Sequence, residues 1–464
     1  MLKKLLLITC VLFMNQLIAQ DLPETDWTDY ADTSWYDASL NDFEIDNAEG
    51  FAGLSVLVAN GEDFENKSIR LTSNLDLGEH LWQPIGLNIE NSFKGELDGQ
   101  DHVISNLYIN MPTSDFVGLF GSVLSASFKN LIIEKARVYG QSTVGALVAN
   151  LSTDSHIDNC HVVEGYVLCD GGWDGGIGGG LVGGLLTGSS VIKSSFSGEV
   201  HGGDQIGGLV GTAWDTTLIE ESYSEGLVVG DNIVGGLVGY CTWNFPPMPN
   251  TTNILRNSYS RADVVGSGIR VGGLYGAPEI NALIENCYST GSVDGVEDVG
   301  ASIGEVIQET EVINVYFNNE TSLIEDGIGS SNPESDLEVI GKTTEEMKTN
   351  DFVALLNADS ESIWTIDPNE NDGYPILSNI TLNVNNFELD STIKVYPTAS
   401  SSQIYFNAPL ATEFVILDYE GKTLDHGIIS SEEINYDVSH LQNGVYLVVF
   451  KIDELKVIKR FIKK

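Results

Sequence analysis

Five-residue glycine–leucine motifs return along this chain at a near-constant interval: GGLVG at 179–183, 207–211 and 235–239, and GGLYG at 272–276. With their degenerate copies, the last positions are Gly121, Ala149, Gly183, Gly211, Gly239, Gly276 and Gly304, spaced 28, 34, 28, 28, 37 and 28 residues apart. A fixed period with two lengthened members is the signature of a stacked repeat, in which each unit buries its apolar side only against its neighbours. The glycines are therefore structural. GGGLVG at 178–183 satisfies a GxGxxG pattern, but it sits on the repeat register without the helix and distant acid of a dinucleotide site. GKTT at 341–344 lacks the earlier glycine of a P-loop, since position 336 is Asp336.

A second block follows each motif: VIKSSFSGEV (191–200), LIEESYSEGLV (218–228), ILRNSYSRADV (254–264) and LIENCYSTGSV (283–293). These pieces are short, β-branched and aromatic, and bounded by Gly, Asp and Asn, so they read as strands. Strands related by one unit run the same way, which predicts an all-β, parallel β-helix of about 28 residues per turn with neighbouring turns ~4.8 Å apart. Its expected hand is right, following the crossover rule. Equivalent positions then form columns: Leu119, Leu147, Leu181, Leu209, Leu237 and Leu274 in one, and Phe196, Tyr223, Tyr259, Tyr288 and Tyr316, with His161, in another.

The columns constrain the cysteines. Cys160 and Cys287 share a column four units apart, a separation of roughly 19 Å at the strand spacing, which is beyond disulfide reach. Cys160 with Cys169 stays geometrically open, as do buried free thiols.

The ends have a different texture. MLKKLLLITCVLFMNQLIAQ reads as a signal peptide at 1–20, and no later run is apolar enough to span a bilayer. Residues 21–42 hold seven acids and no base and read as a flexible acidic lead. Residues 47–60 carry helical apolar spacing after a capping Asp46, as an N-terminal cap of a repeat body at 43–380. Beyond a linker at 381–390, residues 391–464 alternate as strands with turn signals and suggest a small antiparallel β-sandwich.

The repeat body, with its lead-in LWQPIGLNIENSFKGELDGQDHVISNLYI and its exit KTTEEMKTNDF and WTIDPNENDGYPIL, resembles the GLUG-motif repeat proteins of the bacterial surface. The last domain, through VYPTASSSQIYF, LDYEGKTL, LQNGVYLVVF and VIKRFIKK, resembles the type A C-terminal sorting domain of type IX secretion. The two resemblances imply export to the medium or outer cell surface, with the type IX machinery as partner, and they imply no activity.

Charge narrows the partners. Asp and Glu number 67 against 22 Lys and Arg, and a net charge of −45 opposes nucleic acid and anionic membranes. There is no HExxH pair and no GxSxG elbow. Glu96, Asp98 and Asp101 could supply a hydrolytic carboxylate pair, but they lie in a turn-like GELDGQD. DPNENDGYP at 367–375 has its glycine one place late for a calcium loop. Asp115, Asp204, Asp231 and Asp298 along one turn edge leave a weak prospect of Ca2+ and no other cofactor.

The expectation is a noncatalytic adhesion or glycan-binding protein, with surface glycans or extracellular proteins as partners; the alternative is a β-helix polysaccharide lyase or glycoside hydrolase. Insertions in a solenoid project from its turns. The two lengthened repeats, around 168–179 and 240–250, therefore nominate Trp173, Trp214, Trp243 and Phe245 as the ligand-binding residues.

Overall fold

The computed structural model describes residues 23–464 except 172–174, 243–251, 280, 309, 332–336, 359–362, 379–393, 397–398, 401, 409–411, 419–422, 430–432, 443, 453–454 and 464. The signal peptide and the 381–390 linker therefore lie outside the described residues. Contacts divide the chain into two units, 1–380 and 381–464.

The first unit is a parallel β-solenoid of about nine turns, with about 29 residues per turn. Each turn feeds strands into a long-stranded sheet and two narrower ones of seven and eight strands. Register carries like residues onto like: Val148, Val182, Val210, Val238, Tyr275 and Ile303 lie opposite one another in succession. On the long sheet, Ile109, Val138, Val167, Val200, Val228, Val264 and Val293 do the same and are all buried. The leucine column from Leu119 to Leu274 is fully buried as well. Each such side chain contributes about 1.5–3 kcal/mol through burial, an upper estimate for a compact unfolded chain.

The glycines earn their places by close approach of backbone to backbone. A Cβ on Gly211 would sit 2.7 Å from the Gly183 carbonyl oxygen of the preceding turn, and one on Gly239 would sit 2.6 Å from that of Gly211. Gly183, Gly276, Gly304 and Gly121 face the preceding turns in the same way, meeting the carbonyl oxygens of Ala149, Gly239, Gly276 and Gly86. The first glycine of each motif is tighter still. A Cβ on Gly207 would run into the Val210 carbonyl and stand 2.7 Å from Gly239 N. Accordingly Ala149 replaces the last glycine in one turn, while the first position stays glycine from Gly145 through Gly300.

Another corner uses the left-handed region. Asn130, Asn159, Asn257, Asn286 and Asn314 adopt φ between 48° and 53°, a conformation Asn tolerates better than other non-glycine residues. Their amides link adjacent turns, Asn159 Nδ2 donating to Asn130 Oδ1 and Asn314 Nδ2 to Asn286 Oδ1, both at 3.0 Å.

Helix α1 (Ala48–Ala59) packs Phe51, Ala52, Leu54 and Val58 into the solenoid core, and its Phe51 stacks on Trp82 at 5.2 Å. Its N-cap is Asn47, whose side chain accepts from Gly50 N, and not the expected Asp46. The acidic lead is also corrected, because its aromatic residues give it something to bury. Trp27 is buried with its indole N–H donating to the Leu77 carbonyl at 3.0 Å, and the Trp35 indole donates to the Gly50 carbonyl at 2.9 Å.

The aromatic column needs one correction. His161 lies opposite Ser195, Ser195 opposite Tyr223, and Tyr223, Tyr259, Tyr288 and Tyr316 follow in register. Phe196 lies opposite Ser224 instead and packs into the solenoid core, where a Cβ on Gly180 would collide with its ring. The tyrosines belong to a separate cluster with Met347, Phe352, Leu356, Trp364, Tyr374 and Leu377. Those residues come from helices α2 (Thr344–Met347) and α3 (Asn350–Asn357), the two-stranded ribbon of Trp364–Thr365 with Ile376–Leu377, and, for Tyr374, the turn between its strands. The exit segment is thus a bracket laid over the outside of the tyrosine column.

The second unit pairs a three-stranded sheet (Lys394–Tyr396, Gln403–Asn407, Glu433–Asp437) with a five-stranded one, antiparallel except where Ala399–Ser400 runs alongside the last strand. Ile404, Phe406, Phe414, Ile416, Val448 and Phe450 form its core.

Candidate functional site

A second set of aromatic side chains lies on the long sheet and is left partly exposed. Tyr108, Tyr139, Tyr166 and His201 come from four successive turns, with ring centroids 5.9, 5.6 and 5.2 Å apart. They do not form one column. Arg137 stands opposite both Tyr108 and Tyr166, while Tyr139 stands opposite Leu168, which in turn faces His201. The rings therefore alternate between two columns, two residues apart along the strand, and make a zigzag strip running across the turns.

Beside the strip lies a groove of about 760 Å³ lined by Tyr108, Tyr166, Arg137, Lys135 and the carboxylates Asp76, Glu79, Glu164 and Glu199. The strand bends here through Glu164 at φ 53° and Gly198 at φ 150°. Lys135 is ion-paired with Glu134, and His201 Nε2 is 2.8 Å from Glu199 Oε2. Partial burial, with the neighbouring Tyr139 hydroxyl, holds the Tyr108 phenol above its ordinary pKa. Burial, Tyr139 and Glu199 do the same at Tyr166 against the opposing pull of Arg137. Both hydroxyls stay protonated at neutral pH. The strip thus combines flat apolar faces with hydroxyl donors, a guanidinium and carboxylate acceptors, the mixture that holds an amphipathic ring.

Of the residues nominated from sequence, Trp214 is not among those that line this groove. Trp214 ends the strand Val210–Trp214 on the eight-stranded sheet, 38% exposed, opposite Leu186 and Thr242. Trp173, Trp243 and Phe245 lie outside the described residues. The tyrosine strip was missed because its members recur at 31 and 27 residues, one turn plus and minus two, which a test for equal positions discards.

Two of the carboxylates considered for hydrolysis, Glu96 and Asp98, are engaged structurally. Glu96 is ion-paired with Lys129. Asp98 accepts from Gln100 N at 3.0 Å and Asn130 Nδ2 at 3.1 Å; burial opposes its ionisation, but these bonds and Lys129 hold its pKa below the ordinary value. Neither is placed as a general acid, which needs a raised pKa. Among the described residues one carboxyl is pushed upward, Glu225, by burial, against the charge of Arg261. Arg261 also binds Asn371 Oδ1 at 2.6 Å and Asp372, so DPNENDGYP serves as an anchor for the bracket. On the turn edge, Asp115 accepts from Ser142, Asp204 from Asn232 and Asp231 from Ser267. Among the described residues no group of three or more His, Cys, Asp or Glu is placed to hold a metal ion.

Cys160, Cys169, Cys241 and Cys287 are buried thiols outside any disulfide. Cys160 and Cys287 lie in a column with Ser194, Ser222 and Ser258. The Cys160, Ser194 and Ser222 amides each donate to the serine hydroxyl of the next turn, at 3.1 to 3.2 Å. The Ser194, Ser222 and Ser258 hydroxyls donate to the carbonyl two residues back, and the two thiols copy that bond at 3.4 and 3.1 Å. Burial pushes both thiols up to about 12. His161, bonded to Ser195 and Asn159, is pulled down to about 4 by burial and stays neutral.

Comparison with known proteins assigns the C-terminal unit. Residues 394–464 match the family model described as the secretion system C-terminal sorting domain. This sorting tail marks the chain as a secreted or cell-surface protein that engages the type IX secretion machinery. Among the described residues no helix is long and apolar enough to cross a membrane. Two curated relatives match parts of the chain. Halomucin of Haloquadratum walsbyi is 34% identical over 122 residues, 24% of this chain and 1% of that protein. A putative Gly-rich membrane protein of Evansella cellulosilytica is 30% identical over 150 residues, 30% of this chain and 17% of that protein. Among solved structures, an IgA1 protease aligns over 88% of this chain and 33% of its own, at 14% identity and a TM-score of 0.41.

Proposed function

We propose that this is a noncatalytic binding protein of the GLUG-repeat kind, exported by type IX secretion, whose solenoid holds glycan chains at the cell surface or in the medium. The observation that carries the reading is the partly exposed zigzag of Tyr108, Tyr139, Tyr166 and His201 beside a polar groove. Side chains committed to stacking are buried, whereas these four leave ring surface to a partner.

The rival, a glycan lyase or hydrolase, lacks support at Glu96 and Asp98, which are held by Lys129, Gln100 and Asn130. Incubating the mature protein with insoluble polysaccharides, and measuring both retained protein and released sugar, separates the two. Retention without release is expected, and reproducible release overturns the binding reading. Deleting residues 391–464 should leave a folded solenoid inside the outer membrane; normal export of the truncated chain would remove the sorting role. Trp214 is a second candidate contact, and Trp214→Ala should leave retention unchanged if the tyrosine strip carries it.

A further inference from the structure

We infer that the strip takes an uncharged, extended glycan chain and rejects polyanionic ones; this deepens the glycan-binding reading and rests on it. Four carboxylates, Asp76, Glu79, Glu164 and Glu199, line the groove against two bases. One of those bases, Lys135, is already ion-paired with Glu134, leaving Arg137 between Tyr108 and Tyr166 in register. A uronate or sulfated chain would meet net negative charge at the groove and on a protein of net charge −45, with no cluster of cations to offset its desolvation. An uncharged sugar places its apolar ring faces on Tyr and His rings and its hydroxyls on carboxylate acceptors and the Arg137 donor, and loses little solvation doing so.

Geometry selects for extension. The four rings run across the turns at 5.2 to 5.9 Å, one ring per turn, displaced alternately between two columns. That arrangement fits a straight chain whose successive sugar units turn over relative to one another, each lying against the exposed part of one ring.

The test uses the full mature chain against immobilised cello-, xylo-, manno- and chitohexaose, with hexagalacturonate and a guluronate hexamer as the acidic arm. At least one neutral hexamer should bind, with affinity changing less than about twofold between 50 and 500 mM NaCl, since screening acts on charges. Tyr139→Ala with Tyr166→Ala should weaken it about tenfold or more. If that pair disturbs the β-sheet circular dichroism, Tyr166→Ser alone should still weaken binding several-fold with the fold intact. Tighter binding of an acidic hexamer, or binding lost in salt, overturns the charge inference and leaves glycan binding standing. Failure of every hexamer to bind overturns both.

Discussion

Two aromatic ladders stand on the same long sheet. In the one formed by Tyr223, Tyr259 and Tyr288, successive rings are 4.8 and 5.0 Å apart and parallel within 4°, and the bracket covers them. In the other, from Tyr108 to His201, the rings are 5.2 to 5.9 Å apart, tilted, shared between two columns and flanked by charge. The first is satisfied from within the chain: the Tyr288 hydroxyl donates to the Pro375 carbonyl at 2.6 Å and accepts from Asn371, and Phe352 and Trp364 cover the rings. Among the described residues the second has no such cover, and its rings stay partly exposed. Stacking alone does not distinguish a structural ladder from a binding one; what lies on top of the rings does.

The contrast can be broken most sharply at Tyr288. Tyr288→Ala removes a fully buried ring and should cost about 3–5 kcal/mol of stability, read as a large fall in melting temperature, with glycan retention of the folded fraction unchanged. Tyr139→Ala with Tyr166→Ala should do the reverse. Retention falls about tenfold, some 1.4 kcal/mol, while melting shifts by less than about 1 kcal/mol because the side chains are partly exposed. Equal thermal losses from the two changes would erase the distinction between the ladders. Tyr288→Phe keeps the ring and removes the hydroxyl from between Asn371 and the Pro375 carbonyl, which stay bonded to each other at 2.9 Å, a loss of about 0.5–1.5 kcal/mol in denaturant titration.

The smallest effect is electrostatic. The hydrogen bond and charge of Arg261 hold the Asp372 carboxyl below its ordinary pKa. A depressed folded-state pKa contributes stability that is present above the unfolded value, near 3.8, and is lost as pH falls through the folded one. Asp372 is exposed, so the pair contributes at most about 0.5 kcal/mol. Stability should be flat from pH 7 to 5 with respect to this pair, and Asp372→Asn should remove only part of the decline at lower pH.

The difference between the ladders also explains what the sequence made legible. The leucine column and the placing of Cys160 and Cys287 follow from a constant interval, because a packed interior repeats the same residue at the same height. Phe196 was misplaced because the aromatic residue was used as the anchor. The turn glycines Gly198 and Gly226, which face each other, give the register that sets Ser195 against Tyr223. The binding strip escapes any equal-position rule, since nothing in the core forces its rings into one column. Trp27 and Trp35 in the acidic lead show a related limit: charge count describes the solvent side of a segment and says little about its few aromatic anchors.

The thiols bonded like serines have a consequence for how this chain matures. In the folded protein Cys160 and Cys287 act as hydroxyl equivalents, each donating to a backbone carbonyl in a solvent-free column and held in the unreactive protonated form. Oxidant therefore has no partner pair to join there and no thiolate to attack. Once assembled, this column is insensitive to an oxidising environment. Before assembly the same sulfurs are ordinary thiols, so their protection from mispairing comes with the winding of the turns.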